Sequence, residues 1–207
     1  MTVVTLSAPY GAGGSQVGPE LARRLEVPFV DRAIPIGCAE RLAVPLREAL
    51  ARDENVGATL TGMARWLGHV GVAFGAPPSG IAAEASGEDQ RRATEEVIRE
   101  HAAGTGAVIL GRAAAIVLAS TGALHVRLTG PRDERVEQGM ALEGVDRDTA
   151  ERHLEETDRA RDAYVRHFYG AEAEDPRLYH LVVDSTALAL DACVELILVA
   201  ARARPAR

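Results

Sequence analysis

The sequence predicts an α/β fold, a five-stranded parallel sheet with helices on both faces. Two observations carry this expectation. Short apolar runs (VVTL, VPFV, AVIL, LHVRL and LVV) alternate with longer stretches of helical character, the pattern of strands that cross over through helices to lie parallel. Three of these runs end in charge, at Asp31, Arg112 and Asp184, and the carboxyl edge of an open α/β sheet is where ligands bind.

Val3, Val4 and Leu6 make the first strand. Gly11, Gly13 and Gly14 follow in a loop with almost no side chains, and 15–25 supplies a helix. Glycines admit φ > 0 and expose backbone N–H groups, and the helix turns its positive end toward the loop, so the unit is a cradle for an anion, phosphate above all. A P-loop reads G-x-x-x-x-G-K-[ST]. Here Ala8 takes the place of the first glycine, Gly13 keeps the second, Gly14 stands where the lysine belongs, and Ser15 follows. The chain contains no lysine, its 23 basic residues being all arginines, so phosphate charge must be met by arginine or metal. Two other readings of these residues stay open. Gly11 and Gly13 fit the dinucleotide pattern G-x-G-x-x-G, with Gln16 at its last position, and Asp31, about 20 residues on, suits a ribose contact. The third is a glycine turn that merely joins strand to helix.

The run at 27–30 is the second strand and delivers Asp31 and Arg32. The stretch 34–52 is helical in character, broken by Pro35 and Pro45. Leu60, Met63, Leu67 and Val70 recur at helical spacing beside Trp66, as on the core face of a helix over 59–74. GAPPSGIAAEASG at 75–87 sustains neither helix nor strand and reads as a surface connection or a flap over a site. A polar helix follows over 88–101, with Gly104 near its end. AVIL at 107–110 is the third strand and terminates in Gly111-Arg112. Leu124, Val126 and Leu128 alternate with His125, Arg127 and Thr129, which predicts a fourth strand nearer the sheet's edge.

From 131 to 169 the composition turns to charge: PRDERVEQGMALEGVDRDTAERHLEETDRARDAYVRHFY. One reading is solvated helices laced by i, i+4 pairs such as Glu155 with Arg159. The other is a helical lid whose arginines close over a phosphorylated substrate. A fifth strand at 181–183 ends in Asp184 and Ser185, and 188–203, packing Leu190, Val194, Ile197 and Leu198, is the last helix.

A chain of 207 residues buries about 70% of its unfolded surface and needs no staples. The net charge of −7 argues against a general nucleic-acid binder, which needs a positive field along the phosphates. Cys38 and Cys193 lie far apart without metal-type partners, as reduced structural thiols do, and the six histidines show no ligand spacing, so no metal site is expected. No apolar run reaches about 18 residues and the amino terminus has no basic leader, so a cytoplasmic protein without membrane or nucleic-acid partners is expected.

In order and spacing these motifs resemble the cytidylate kinase-like family of P-loop nucleoside monophosphate kinases. VTLSAPYGAGGSQVGPELARRLEVPFVDR is similar to that family's opening, LGRAAAIVL to its Gly-Arg segment and HVRLTGPRDERV to its fourth strand and helix. TDRARDAYVRHFYG resembles its lid, and YHLVVDSTALALDACVELI its closing strand and helix; only about 36–87 is left out. The resemblance implies a single three-layer P-loop domain with a helical insert at about 36–87 and a lid at about 131–169. It implies phosphoryl transfer from ATP, with Mg²⁺ arriving on the nucleotide, to a nucleoside monophosphate, CMP or dCMP first. Gly11, Ala12, Gly13, Gly14, Ser15 and Gln16 would then hold the nucleotide's phosphates, and Asp31, Arg112, Asp158 and Arg161 would face the acceptor. Arg132, Arg135 and Arg161 would screen charge during transfer, for which arginine forks suit phosphate oxygens. A nucleotide-binding regulator without transfer, and a kinase of another small molecule, would keep the same cradle.

Overall fold

Strand β1 (Val3–Ser7) lies at the centre of the sheet because both of its faces are covered: Val4, Leu6 and Thr5 are all buried. The computed structural model describes residues 1–31 and 87–204. The helices expected at 34–52 and 59–74, with Trp66 and Cys38, and nearly all of the expected flap lie outside the described residues. Around β1 stand β2 (Phe29–Val30), β3 (Ala107–Leu110), β4 (Leu124–Thr129) and β5 (Leu181–Asp184). The order across the sheet is β2-β3-β1-β4-β5 and every neighbouring pair is parallel. The crossovers carry α1 (Gly14–Leu25), α2 (Gly87–Ala103), α3 (Ala114–Val117), α4 (Arg132–Glu143) and α5 (Arg147–Tyr169), and α6 (Leu190–Ala203) follows β5.

Period-2 alternation sorts the strand side chains into two cores. On one face Val4, Leu6, Val108, Leu124, Val126, Leu128 and Val183 pack against Val17 and Leu21 of α1 and Cys193, Val194, Ile197 and Leu198 of α6. On the other, Ala107 and Ile109 pack with Val97 and Ile98 of α2 and with Ala114 and Leu118 at α3. Each fully buried Leu, Ile or Val contributes about 1.5–3 kcal/mol. Burial also pushes the Cys193 thiol above its ordinary pKa, as the reading of a structural thiol expects.

This sorting fixes where a ligand can sit. The chain leaves β1 through α1 on one face and leaves the adjacent β3 through α3 on the other. A crevice therefore opens at the carboxyl ends of β1 and β3, the switch point at which α/β sheets bind ligands. Among the described residues, the glycine loop and Arg112 follow these two strand ends.

One sequence expectation is corrected. β4 is an inner strand, between β1 and β5. Its alternation of apolar and polar residues does not mark a solvated face, since His125 and Arg127 are 4% and 6% exposed. Both polar residues find partners inside the molecule: His125 Nδ1 lies 2.8 Å from Thr5 Oγ1, and Arg127 donates to Ser7 Oγ at 3.2 Å and to the Ala173 carbonyl at 2.9 Å; His125 Nε2 is buried without a hydrogen bond to any described residue.

The charged stretch forms α4 and α5, which pack on each other and on the glycine loop through Tyr10, Val136, Ala150 and Leu154. Asp146 caps α5 by accepting from the Thr149 N–H at 2.8 Å, and Gly144 and Gly170 end the two helices in the left-handed conformation. Glu155, expected to pair with Arg159, instead receives Arg132 from α4 at 3.1 Å.

Candidate functional site

The loop between β1 and α1 is held by its carbonyls. Arg135 Nη1 donates to Tyr10 O at 2.8 Å, Gln138 Nε2 to Gly11 O at 2.7 Å and Ser185 Oγ to Ala12 O at 2.9 Å. Gly13 O accepts from the N–H groups of Gln16 and Val17, opening α1. The amides are left differently. Tyr10 N–H is taken by Asp158 and Ala12 N–H by Pro9 O, whereas the N–H groups of Gly11, Gly13, Gly14 and Ser15 bond to none of the described residues. Four donors that bond to no described residue, at a helix start with the helix dipole behind them, are the groups from which an anion site is built.

The glycines are required here. Gly11 and Gly13 both have φ of 72°, and a Cβ at Gly11 would lie 1.9 Å from the Arg135 carbonyl oxygen. A Cβ at Gly14, the lysine position, would lie 2.6 Å from Ala8 Cβ and 3.1 Å from Leu110 Cδ1. Ala8 thus fills the space that a side chain at Gly14 would enter. Ser15 and Gln16 are exposed and bonded to each other, Ser15 Oγ to Gln16 Oε1 at 2.8 Å. The donor set fits a nucleotide's polyphosphate, and Ser15 Oγ is the side-chain oxygen at the loop that could meet a phosphate-bound Mg²⁺. Among the described residues no group of three or more His, Cys, Asp or Glu side chains could hold a metal by itself.

Opposite the loop, half-buried Asp31 follows β2, and Arg112 follows β3 in a turn in which Gly111, Arg112 and Ala113 all have left-handed φ, of 75°, 57° and 52°. Two consecutive non-glycine residues in that region store strain of the kind found at functional sites. From α5, Asp158, Arg161 and Asp162 share the stripe that begins with buried Ala150 and Leu154 and ends with buried Val165. Arg161 makes no hydrogen bond or ion pair with any described residue and remains open to solvent. Enclosure by protein nonetheless lowers its guanidinium pKa; Asp158 opposes that, Arg112 adds to it, Asp31 opposes and Arg127 adds. It stays a cation, as arginines do. Burial raises the Asp162 carboxyl pKa, with Glu174 and Asp158 adding to the effect.

The structure thus separates the residues expected at the site. It brings the loop amides, Asp31, Arg112 and Arg161 to one edge of the sheet. Arg135 and Asp158 are engaged with each other at 2.7 Å and with the Tyr10 backbone on both sides, so they brace the loop. Arg132 lies on the surface with Glu155 and Asp133. Asp184, the third strand-end charge, is turned back onto Thr186 and the Ala187 N–H, and these bonds lower its pKa.

Sequence reasoning missed Tyr10, Gln138, Arg127 and Asp162. The Tyr10 hydroxyl donates to Glu143 at 2.9 Å, and burial together with that carboxylate raises its pKa. Its ring meets His153 edge-on at 5.9 Å. Arg127 also pairs with Glu174 at 3.1 Å and lies 5.8 Å from the centre of the Tyr179 ring. A buried arginine on an inner strand was legible only through its charge within LHVRL.

Among solved structures, the fold is similar to an uncharacterized protein from Eubacterium ventriosum ATCC 27560, with a TM-score of 0.67, 19% identity and coverage of 99% of this chain and 100% of that one. It is also similar to shikimate kinase from Bacteroides thetaiotaomicron, with a TM-score of 0.52, 14% identity and coverage of 96% and 97%. A gluconokinase from Sinorhizobium meliloti 1021 gives a TM-score of 0.51 and 17% identity over 97% of this chain and 91% of that one. At these identities the likeness shows the fold alone. No curated protein matches the sequence. The model of the cytidylate kinase-like family, however, matches residues 3–187, and the chain belongs to that family.

Proposed function

We propose that the protein transfers a phosphoryl group from ATP to a nucleoside monophosphate, CMP or dCMP first. One observation carries this reading: four amides at the start of α1 that bond to no described residue face a sheet edge that also holds Asp31, Arg112 and Arg161. The amides and the dipole of α1 bind the nucleotide's phosphates, and Asp31 and Arg112 position the acceptor. Mg²⁺ bound with the nucleotide supplies charge neutralisation at the transferring phosphate. Transfer of this kind depends on positioning and on charge stabilisation more than on covalent chemistry. The braces from Arg135, Gln138 and Ser185 keep the loop preorganised, so the donors need not reorganise as charge develops. The helices at 131–169 act as the closing element, anchored to the loop at Asp158.

Release of ADP from Mg·ATP, measured with CMP, dCMP, UMP, AMP and GMP in turn, tests the proposal. Turnover with CMP or dCMP is expected. The absence of a lysine at Gly14 favours one alternative, a nucleotide-binding regulator that performs no transfer. ATP binding without ADP release, with any of these acceptors or with a small hydroxy acid, selects that alternative.

A further inference from the structure

Apolar exposure is concentrated at one edge of the sheet. Of the five large hydrophobic side chains exposed among the described residues, Val182 lies on the edge strand β5, Leu188 in the turn after it, and Leu196 and Val199 on α6. α6 buries Cys193, Val194, Ile197 and Leu198 against the sheet. Its opposite side carries Ala192, Leu196, Val199 and Ala203, all exposed, at successive spacings of four, three and four residues. That is the spacing of a seam that packs against another helix. A helix that only covers a sheet places polar residues on its outer side, and this one places none at these four positions.

The charges beside the seam select its occupant. Asp191 is in the first turn of α6 and Arg202 in the last, and both are exposed. They stand about 16 Å apart along the axis and within about 20° of the same side, and neither is ion-paired with a described residue. Glu195 shares that flank and leans on Arg24 of α1 at 2.6 Å. A second copy laid antiparallel along the seam sets Leu196 of each copy against Val199 of the other, and Ala192 against Ala203. It also brings Asp191 and Glu195 of each copy to the level of Arg202 of the other. A parallel copy would set acid beside acid and arginine beside arginine.

We propose that α6 is the contact of a symmetric dimer of this chain, two copies of the helix packing antiparallel along Ala192, Leu196, Val199 and Ala203, with Arg202 of each between Asp191 and Glu195 of the other. Withdrawal of Leu196 and Val199 from water drives the association, and the charges fix its direction. The opposed helix dipoles agree with that direction. A two-fold axis across the helix closes the contact, so assembly stops at two. One helix pair is small among specific interfaces, so the dimer dissociates at about 10 μM. A Cβ at Gly13 would lie 2.6 Å from Leu190 Cδ2, so the start of α6 adjoins the glycine loop, and antiparallel pairing places the two loops at opposite ends of the contact. The dimer does not depend on the phosphotransferase reading.

Sedimentation velocity of the full chain, from about 1 to about 300 μM, reads the association. The wild type should pass from monomer to dimer over this range. Val199→Glu, at a position 65% exposed that leaves the core untouched, should remain monomeric. Asp191→Arg and Arg202→Asp each reverse one charge and should each weaken association about 10-fold. An equimolar mixture of these two variants should associate more tightly than either alone, because the mixed dimer restores opposite charges across the seam. Melting curves confirm the fold of each protein. Wild type that stays monomeric at every concentration, or a dimer that survives Val199→Glu, overturns the proposal. A mixture no tighter than its components overturns the antiparallel arrangement. Should either charge variant fail to fold, the wild type and Val199→Glu decide alone.

Discussion

Asp158 and Tyr10, 148 positions apart, join the charged helix α5 to the glycine loop: Asp158 Oδ1 accepts from the Tyr10 backbone N–H at 2.8 Å. Its other oxygen accepts from Arg135 Nη1 at 2.7 Å, and that same nitrogen donates to Tyr10 O at 2.8 Å. One carboxylate and one guanidinium thus clasp a single loop residue through both of its backbone polar groups.

The clasp predicts that Asp158→Ala destabilises the protein by about 2 kcal/mol, the range for hydrogen bonds to charged groups. The pair is mostly shielded, with side chains 11% and 21% exposed, so solvent does not replace it cheaply. In a double-mutant cycle with Arg135→Met, urea unfolding should give a coupling energy above about 1 kcal/mol. Simple additivity would show that the two residues act independently.

The Tyr10 side chain makes a second tie. A Cβ at Gly139 would lie 2.5 Å from Tyr10 Cε1, so Gly139→Ala should cost about 1–3 kcal/mol by overpacking. Tyr10→Leu, which clears that space, should recover part of the loss. A Gly139→Ala protein with an unchanged melting temperature would mean that Tyr10 is not held between α4 and α5.

His125 predicts a pH dependence. Burial, then His180 and Arg204, push its pKa from 6.5 down to about 4; Thr5 Oγ1 and the stacked His180 ring, 4.9 Å away, face it. Between those two values the unfolded chain binds the proton and the folded chain does not. The contribution is therefore full above about pH 6.5 and is lost as pH falls toward 4, by on the order of 3 kcal/mol. Denaturant unfolding across this interval should show the slope, and His125→Gln should flatten it. An identical slope in the variant assigns the effect to other groups.

Arg112 and Ala113 hold left-handed φ without being glycine. Ala113→Gly should therefore stabilise the protein by about 1 kcal/mol, the relief of strain exceeding the entropy gained by the unfolded chain. Chemical denaturation reads this directly, and a loss of stability would show that the alanine methyl group is needed where it is.

The glycine loop and the strand ends at Asp31 and Arg112 were legible because they are written locally: an apolar run, then the residues at its end. The braces were not, since Asp158 meets Tyr10 only after the sheet has brought distant segments together. Arg135 and Arg161 look alike in sequence; what separates them is that Arg135 is held by two carbonyls and a carboxylate while Arg161 is exposed and bonds to no described residue. The alternation on β4 misled because a buried arginine satisfied by Ser7, Ala173 and Glu174 leaves the same pattern as a solvated edge. The cost of a side chain at Gly14 became visible only once Ala8 was seen against it.

Loop amides that hold a nucleotide's phosphates must respond to it in amide NMR of the ¹⁵N-labelled protein titrated with Mg·ATP. The N–H signals of Gly11, Gly13, Gly14 and Ser15 should move together and saturate, with Tyr10, already bonded to Asp158, moving least among its neighbours. Saturating ATP that leaves those four signals in place would contradict the account.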